Sequence, residues 1–407
     1  MPRTVFPRRI GTPILARTAA LSLAALISLP LAAVPLHAAD VSRPAEISRV
    51  KADSTISPDL KERAALRRLV QSDPEARALF AAFTETANDA LKDTPNPIAI
   101  IQSEGKLAKD PVKIRTQASL RDMPKIAALG WAAAVQEKPV SDPSNAYARK
   151  AKEFILAWAD TNQSQGNPIN DTKLEPLLVA YDLTRTVFTP EEQARVTTYL
   201  RQMVKEGEKT RISNPGSARS NWNSHRLKVT GLIAFLLQDP VLIKGAIEGY
   251  RRQVDENLLP DGSSTDFHHR DALHYHLYDI EPLLTLAIAA RRNGTDLYSY
   301  RSPSKASLAH STEWLIPYCD GSKTHAEFVN SKVSFDQKRA ASGDAHYAAG
   351  RLFNPRQALS ALALAAAFDP PGKPRFETLE KAVAGKPTAR FASWQDVLNK
   401  VSRGETP

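Results

Sequence analysis

Twelve residues, HHRDALHYHLYD from His268 to Asp279, bring four histidines, two tyrosines, an arginine and two aspartates together. A second cluster, SNWNSHR from Ser220 to Arg226, sets Asn221, Asn223, His225 and Arg226 around Trp222. A helix start uses one Asn or Ser as its cap, so two asparagines and a histidine exceed what capping requires. The plain alternative is that these side chains tie a polar helix end to its neighbouring loops.

Several chemistries fit this material poorly. His274 and His276 are two apart, which points them to different sides of a helix, and no HExxH pattern is present. His269 and His276, seven apart, are a weak pair for one coordination sphere. No metal and no cofactor is therefore expected. There is no GxSxG turn, no Gly-rich phosphate loop, and no motif around Cys319. Paired carboxylates for glycoside hydrolysis stay open, because their separation is invisible in a sequence.

Asn, His, Arg and Tyr together suit β-elimination from a uronic acid within a polysaccharide. The hydrogen beside an ionised carboxylate is barely acidic, so that charge must first be neutralised. Asn and His donate hydrogen bonds to it, and Arg adds fixed positive charge. A tyrosine whose ordinary pKa of about 10 is lowered by nearby cations then takes the proton or protonates the leaving oxygen.

These side chains need a scaffold, and the periodicity predicts helix after helix. DLKERAALRRLVQS, PEARALFAAFTETANDALKD and SNAYARKAKEFILAWADTNQ space their apolar residues three and four apart, the last with Ser144 placed to cap it. Thr189, Pro190 and Glu192 form a helix start. The Asn/His cluster opens a helix near Ser220. The His/Tyr cluster opens a long helix running into EPLLTLAIAARR, with Arg270, His274 and Tyr278 four apart on one side. No alternating run predicts a sheet. The expectation is an all-α chain, one domain over residues 40–407, with helical hairpins forming an α/α toroid or incomplete barrel. A solenoid is the alternative, and no fixed period supports it.

The start of the chain reads as a leader. Arg3, Arg8, Arg9 and Arg17 precede and enter an apolar run broken by Pro30 and Pro35, with small residues at Ala38 and Ala39. That is the form of a secretory signal peptide over residues 1–39, placing the mature protein in the periplasm or outside the cell. The Arg8-Arg9 pair also suits twin-arginine export. The formal charge is +10, of which four positives lie in this leader. A basic exported protein suits an anionic polysaccharide better than nucleic acid, with no membrane contact after cleavage. The lone Cys319 excludes an internal disulfide.

DALHYHLYDIEPLL resembles the ALHYH-containing helix of the bacterial alginate lyase family, and the likeness extends upstream through GNPIND, PLLVAYDLTR and the Asn/His segment, roughly residues 90–300. The resemblance implies an exported α/α-barrel enzyme that cleaves a polyuronate, alginate or glucuronan, by β-elimination. It implies that an Asn-His pair neutralises the carboxylate, that a Tyr after ALHYH is the acid and often the base, and that an Arg before ALHYH assists. His225 matches the histidine and Tyr278 the tyrosine. Asn223 takes the asparagine role, with Asn221 in reserve, although Ser224 separates Asn223 from His225. Arg270 takes the arginine role one residue early, since Asp271 directly precedes ALHYH. Trp222, His274, Asn167 and Asn170 are the candidate substrate-binding residues. A glycoside hydrolase on the same fold, or a polysaccharide-binding protein without catalysis, are the competing readings.

Overall fold

The computed structural model describes residues 54–385 and 391–405. The leader assigned to residues 1–39 lies outside the described residues. Among the described residues no helix is long and apolar enough to cross a membrane.

Eighteen α-helices are described. The first five are α1 (Leu60–Ser72), α2 (Pro74–Ala90), α3 (Pro111–Leu120), α4 (Asp122–Val135) and α5 (Ala146–Thr161). A single turn, α6 (Pro168–Asp171), leads to α7 (Glu175–Thr184), α8 (Pro190–Ser213), α9 (Asn221–Leu237) and α10 (Pro240–Asn257). Then come α11 (Thr265–Arg270), α12 (Leu273–Arg292), α13 (Leu308–Trp314), α14 (Ile316–Cys319) and α15 (Ser334–Ala341). The chain closes on α16 (Leu359–Ala366), α17 (Arg375–Ala384) and α18 (Trp394–Ser402).

In sequence order α2, α4, α7, α9, α12, α16 and α18 each pack on the next, and α18 returns to α1 and α2. The α/α toroid expected from the sequence is present, and its ends meet. The closure is aromatic: Trp394 of α18 lies against Phe80, Phe83 and Trp131. Helices α5, α8, α10 and α17 back this ring from outside. The inner helices surround a central cavity of about 730 Å³, lined by residues that include Trp131, Val179, Leu232 and Ile288.

Local chemistry explains the helix starts. Thr189 and Glu192 exchange the two bonds of a capping box. Helix α5 is capped by Asn145 rather than Ser144: Asn145 Oδ1 accepts from Ala148 N, while the Ser144 hydroxyl turns to Asp142. Helix α9 is buried on nearly every side because it stands between α12, α8 and α10. That environment accounts for its lack of a polar stripe.

The His/Tyr stretch is not one helix. Asp271 adopts a left-handed conformation (φ 48°), which Asp tolerates better than most residues. It separates α11 from α12, so Arg270 does not stack under His274 and Tyr278. The break is held by residues far along the chain. Phe328 N donates to Asp271 O, and Asn330 N to Asp271 Oδ2. The buried Glu327 carboxylate accepts from Leu273 N and His274 N, capping α12 where Ala272 offers no side-chain acceptor. Glu327 belongs to β1 (Ala326–Glu327), which pairs antiparallel with β2 (Arg351–Leu352). This small ribbon, unexpected from the sequence, anchors a cap formed by residues 325–352 over the start of α12.

Candidate active site

His225, on the second turn of α9, and Tyr278, on the second turn of α12, meet with ring centroids 4.4 Å apart. His274, one turn before Tyr278, stacks on it at 5.7 Å. Thr172 Oγ1, just after α6, lies 3.0 Å from His225 Nδ1 and fixes the ring, while His225 Nε2 has no hydrogen-bond partner among the described residues. A buried polar atom left open in this way is costly unless something else fills the position.

Beyond His225 a cavity of about 540 Å³ opens, lined by Glu175, Lys228 and Glu281 among others. It shares Glu175, Thr285, Leu364 and Gln395 with the central cavity, so the His225 wall borders the lumen of the toroid. Lys228 pairs with Glu175 at 2.5 Å.

The cap adds a second wall. Arg339 of α15 donates to Tyr347 Oη at 2.9 Å and to Tyr275 Oη at 3.2 Å, and lies 3.7 Å from Glu104. Tyr275 and Tyr278 are neighbours, their rings 6.2 Å apart. The Glu104 amide donates to Asn170 Oδ1, which joins the Asn167–Asn170 turn to the same region.

Burial, with Lys228 and Lys173 adding repulsion, holds His225 well below the ordinary histidine value, so its ring is neutral. His274 is brought to about 4 by burial and then by Arg270, Arg351 and Arg339. The Tyr278 phenol is pushed up to about 12, first by burial and then by Glu104, Tyr347 and Glu281; Arg339 opposes them. Glu281 rises to about 7, chiefly through burial.

The candidates named from sequence fall into two groups. His225, Tyr278 and His274 come together. Asn170 borders the same region with its amide orientation fixed: Oδ1 accepts from Ser103 N, Ser103 Oγ and Glu104 N, and Nδ2 has no acceptor among the described residues. Asn167 caps the α6 turn, accepting from Ile169 N and Asn170 N. Trp222 is half-buried and makes no ring contact with another aromatic among the described residues. Asn221 and Asn223 are committed elsewhere. Asn221 bonds Asp266 through both its backbone and side-chain nitrogens. Asn223 donates to Gln253 and accepts from Arg226, on the side of α9 that faces α10. Ser224, next to His225, is bonded to Gln253 inside the wall. Arg270 is held by Asp336 through Nε at 2.8 Å and Nη2 at 2.5 Å.

Glu104, Lys173, Lys228, Arg339 and Tyr347 were not singled out from sequence. Lys228 was within reach, since it follows His225 by one helical turn. The others arrive on loops and a cap whose positions no periodicity encodes.

The histidines of the opening stretch have separate partners: His268 Nε2 meets Ser263 Oγ and His276 Nε2 meets Ser311 O. Among the described residues no group of three or more His, Cys, Asp or Glu side chains is placed to hold a metal ion.

His225 and Tyr278 thus face each other beside the lumen of an α/α toroid. The alginate lyase family model matches residues 70–325, and the chain belongs to that family. A polysaccharide lyase of Stenotrophomonas maltophilia (strain K279a) is 28% identical over 171 residues, covering 38% of this chain and 50% of that protein. The chain thus matches about half the length of that curated relative. An alginate lyase structure from Bacteroides ovatus superposes with a TM-score of 0.60 at 17% identity, covering 85% of this chain and 98% of the other. Alginate lyase A1-III from Sphingomonas species A1 gives 0.51 at 20% identity, covering 67% and 80%. At these identities the structures establish the shared fold.

Proposed function

We propose that this chain is an exported polysaccharide lyase that cleaves a polyuronate, of the alginate or glucuronan type, by β-elimination. The observation that carries this reading is the neutral His225, with Nε2 unpartnered, facing Tyr278 across 4.4 Å. Family membership supports it, and the basic mature chain suits an anionic polymer.

In this reading the uronate carboxylate lies against His225 Nε2–H, with the Thr172 hydroxyl donating to Nδ1, and against the amide nitrogen of Asn170. Both donors are held in place before substrate arrives, so they stabilise developing charge without reorganising. Tyr278, ionised, takes the C5 hydrogen. The C5–H electrons form the C4–C5 double bond, the C4–O4 bond breaks with its electrons on oxygen, and Tyr278 returns the proton to O4. No oxidant or added water is consumed. The raised phenol pKa makes proton return easy and makes ionisation the demanding half of the cycle.

Mass analysis of oligosaccharides released from polymannuronate, polyguluronate and glucuronan tests the reaction type. Elimination gives products whose new non-reducing end is one water lighter than the hydrolytic product. Only hydrated ends would make the protein a hydrolase, and bound but uncut polymer would make it a binding protein.

A further inference from the structure

The family resemblance assigns the assisting guanidinium to the residue before ALHYH, which here leads to Arg270. The geometry points to another residue. We infer that Arg339 is the guanidinium that meets the substrate carboxylate and favours ionisation of Tyr278, and that Arg270 is a positioning residue that holds the helix carrying Arg339. The inference rests on the β-elimination reading above.

Two observations separate the arginines. Asp336, itself almost wholly buried, takes up the Arg270 side chain through both carboxylate oxygens. A bidentate pair of this kind neutralises the charge locally and fixes geometry. Arg339 differs. Its hydrogen-bond acceptors are two neutral phenols, and Glu104 at 3.7 Å is its nearest carboxylate. The ring faces of Phe335 and Tyr347, 4.5 and 4.7 Å away, complete its surroundings, so among the described residues its charge has no bidentate carboxylate partner, and it stands beside Tyr275, the neighbour of Tyr278.

Asp336 and Arg339 are three residues apart on α15, so they share one side of that helix. The Arg270–Asp336 bond therefore ties α11 to α15 and sets the position of Arg339. Tyr275 receives bonds from both guanidiniums and links the two. The left-handed break at Asp271 gives this arrangement a reason: it turns Arg270 out of line with His274 and Tyr278 and toward the cap.

Tyr278 is faced by His225 from α9, by His274, Tyr275 and Glu281 from its own helix, by Glu104 from the loop before α3, and by Tyr347 and Arg339 from the cap. Arg339 is the cation in this set, and Glu104 is the leading charge acting against it. As the base, Tyr278 must lose its proton, so kcat/KM is expected to climb with pH through the neutral and alkaline range. Removing Arg339 makes ionisation harder and moves the climb to higher pH. Removing the Glu104 charge moves it the other way.

The test compares Arg339→Gln, Arg339→Lys, Glu104→Gln and the apolar pair Arg270→Met with Asp336→Leu, measuring kcat/KM against pH by the ultraviolet absorbance of the unsaturated product. Arg339→Gln is expected to lose about 100-fold or more, the scale of one lost charge-stabilising donor. Its profile should shift upward in pH, with partial rescue in Arg339→Lys and an opposite shift in Glu104→Gln. The apolar pair keeps the strut by packing and should stay within about tenfold of the parent with its profile in place, since such pairs are replaceable by apolar isosteres. An unshifted profile in a folded Arg339→Gln protein, or an equal loss in a folded apolar-pair protein, would overturn the assignment. If the parent cuts no polyuronate, the lyase reading itself falls. Spectroscopic titration of Tyr278, taken as the difference from Tyr278→Phe, then judges the Arg339–Tyr278 link independently of turnover: an equal titration in the parent and in Arg339→Gln refutes it.

Discussion

At the scale of single residues, chemistry and scaffolding use the same residue types, and only partners tell them apart. Asn170 and Asn223 are both buried amides. Asn223 spends its amide on Gln253 and Arg226, whereas Asn170 has its oxygen saturated and its nitrogen open. Asn170→Asp, which keeps the accepting oxygen and removes the amide donor, is therefore expected to lower kcat by at least about 10-fold while the three accepted bonds stay in place, in keeping with a lost charge-stabilising donor. Asn223→Ala should instead cost about 1–3 kcal/mol of stability, because it strips a partner from buried Gln253 and Arg226. Steady-state kinetics and thermal melts on both variants check this, and the reverse pattern would return the carboxylate role to Asn223. His225 drew notice because its cluster exceeds what capping needs, and Tyr278 through the resemblance of its helix to the ALHYH helix. The sequence left the asparagine open because the spacing around Ser224 does not say which side of α9 meets the cleft.

Among elements, what was legible followed period and capping. Helices with a clear start, such as α8 behind Thr189, were predictable from the local pattern. The ring helix α4 was not among those expected, because its run of small and apolar residues is buried along much of its length and carries no polar stripe. The α11–α12 break was also hidden, since the left-handed Asp271 is held by Phe328 and Asn330, nearly sixty residues away. Close approach of α4 to α7 depends on Gly130, where an added Cβ would stand 2.8 Å from Ala180 Cβ and 2.9 Å from its Cα. Backbone cannot yield as a side-chain tip does, so Gly130→Ala must push the two helices apart. Alanine returns about 1 kcal/mol in helix propensity, against an overpacking cost of about 1–3 kcal/mol. A net fall in stability is expected in denaturant titration, and a gain would mean that the ring tolerates a wider crossing.

For the whole molecule, the toroid closes on apolar and aromatic packing, with a few ionisable groups buried inside it. Such groups make stability depend on pH. His276 is fully buried, with its value lowered to about 4 chiefly by burial. A histidine whose folded value lies below its unfolded one contributes stability above the unfolded value and loses it as pH falls toward the folded one. From pH 6.5 to about 4 that loss is about 3 kcal/mol. Glu281 and Glu380, each raised to about 7, act oppositely, weakening the fold as pH rises from about 4.5. The contribution of His276 is therefore read as a difference: His276→Gln should lose less stability than the parent on acidification over this range. Parallel pH dependence of the denaturant midpoints would refute it. The overall class was legible from repeated helical periods and the lack of alternation. The closure through α18 was not, because it joins residues more than three hundred positions apart.

The central claim is that Tyr278 carries the proton transfers of an elimination that requires no metal. The most direct measurement is ultraviolet absorbance while the purified protein and its Tyr278→Phe variant act on polymannuronate, polyguluronate and glucuronan, with and without a chelator. The expected result is a rise with the parent on at least one polymer that the chelator leaves unchanged, and a loss of at least about 1,000-fold in the variant, which still binds the polymer. A rise abolished by the chelator, or one that survives in Tyr278→Phe, would contradict the account.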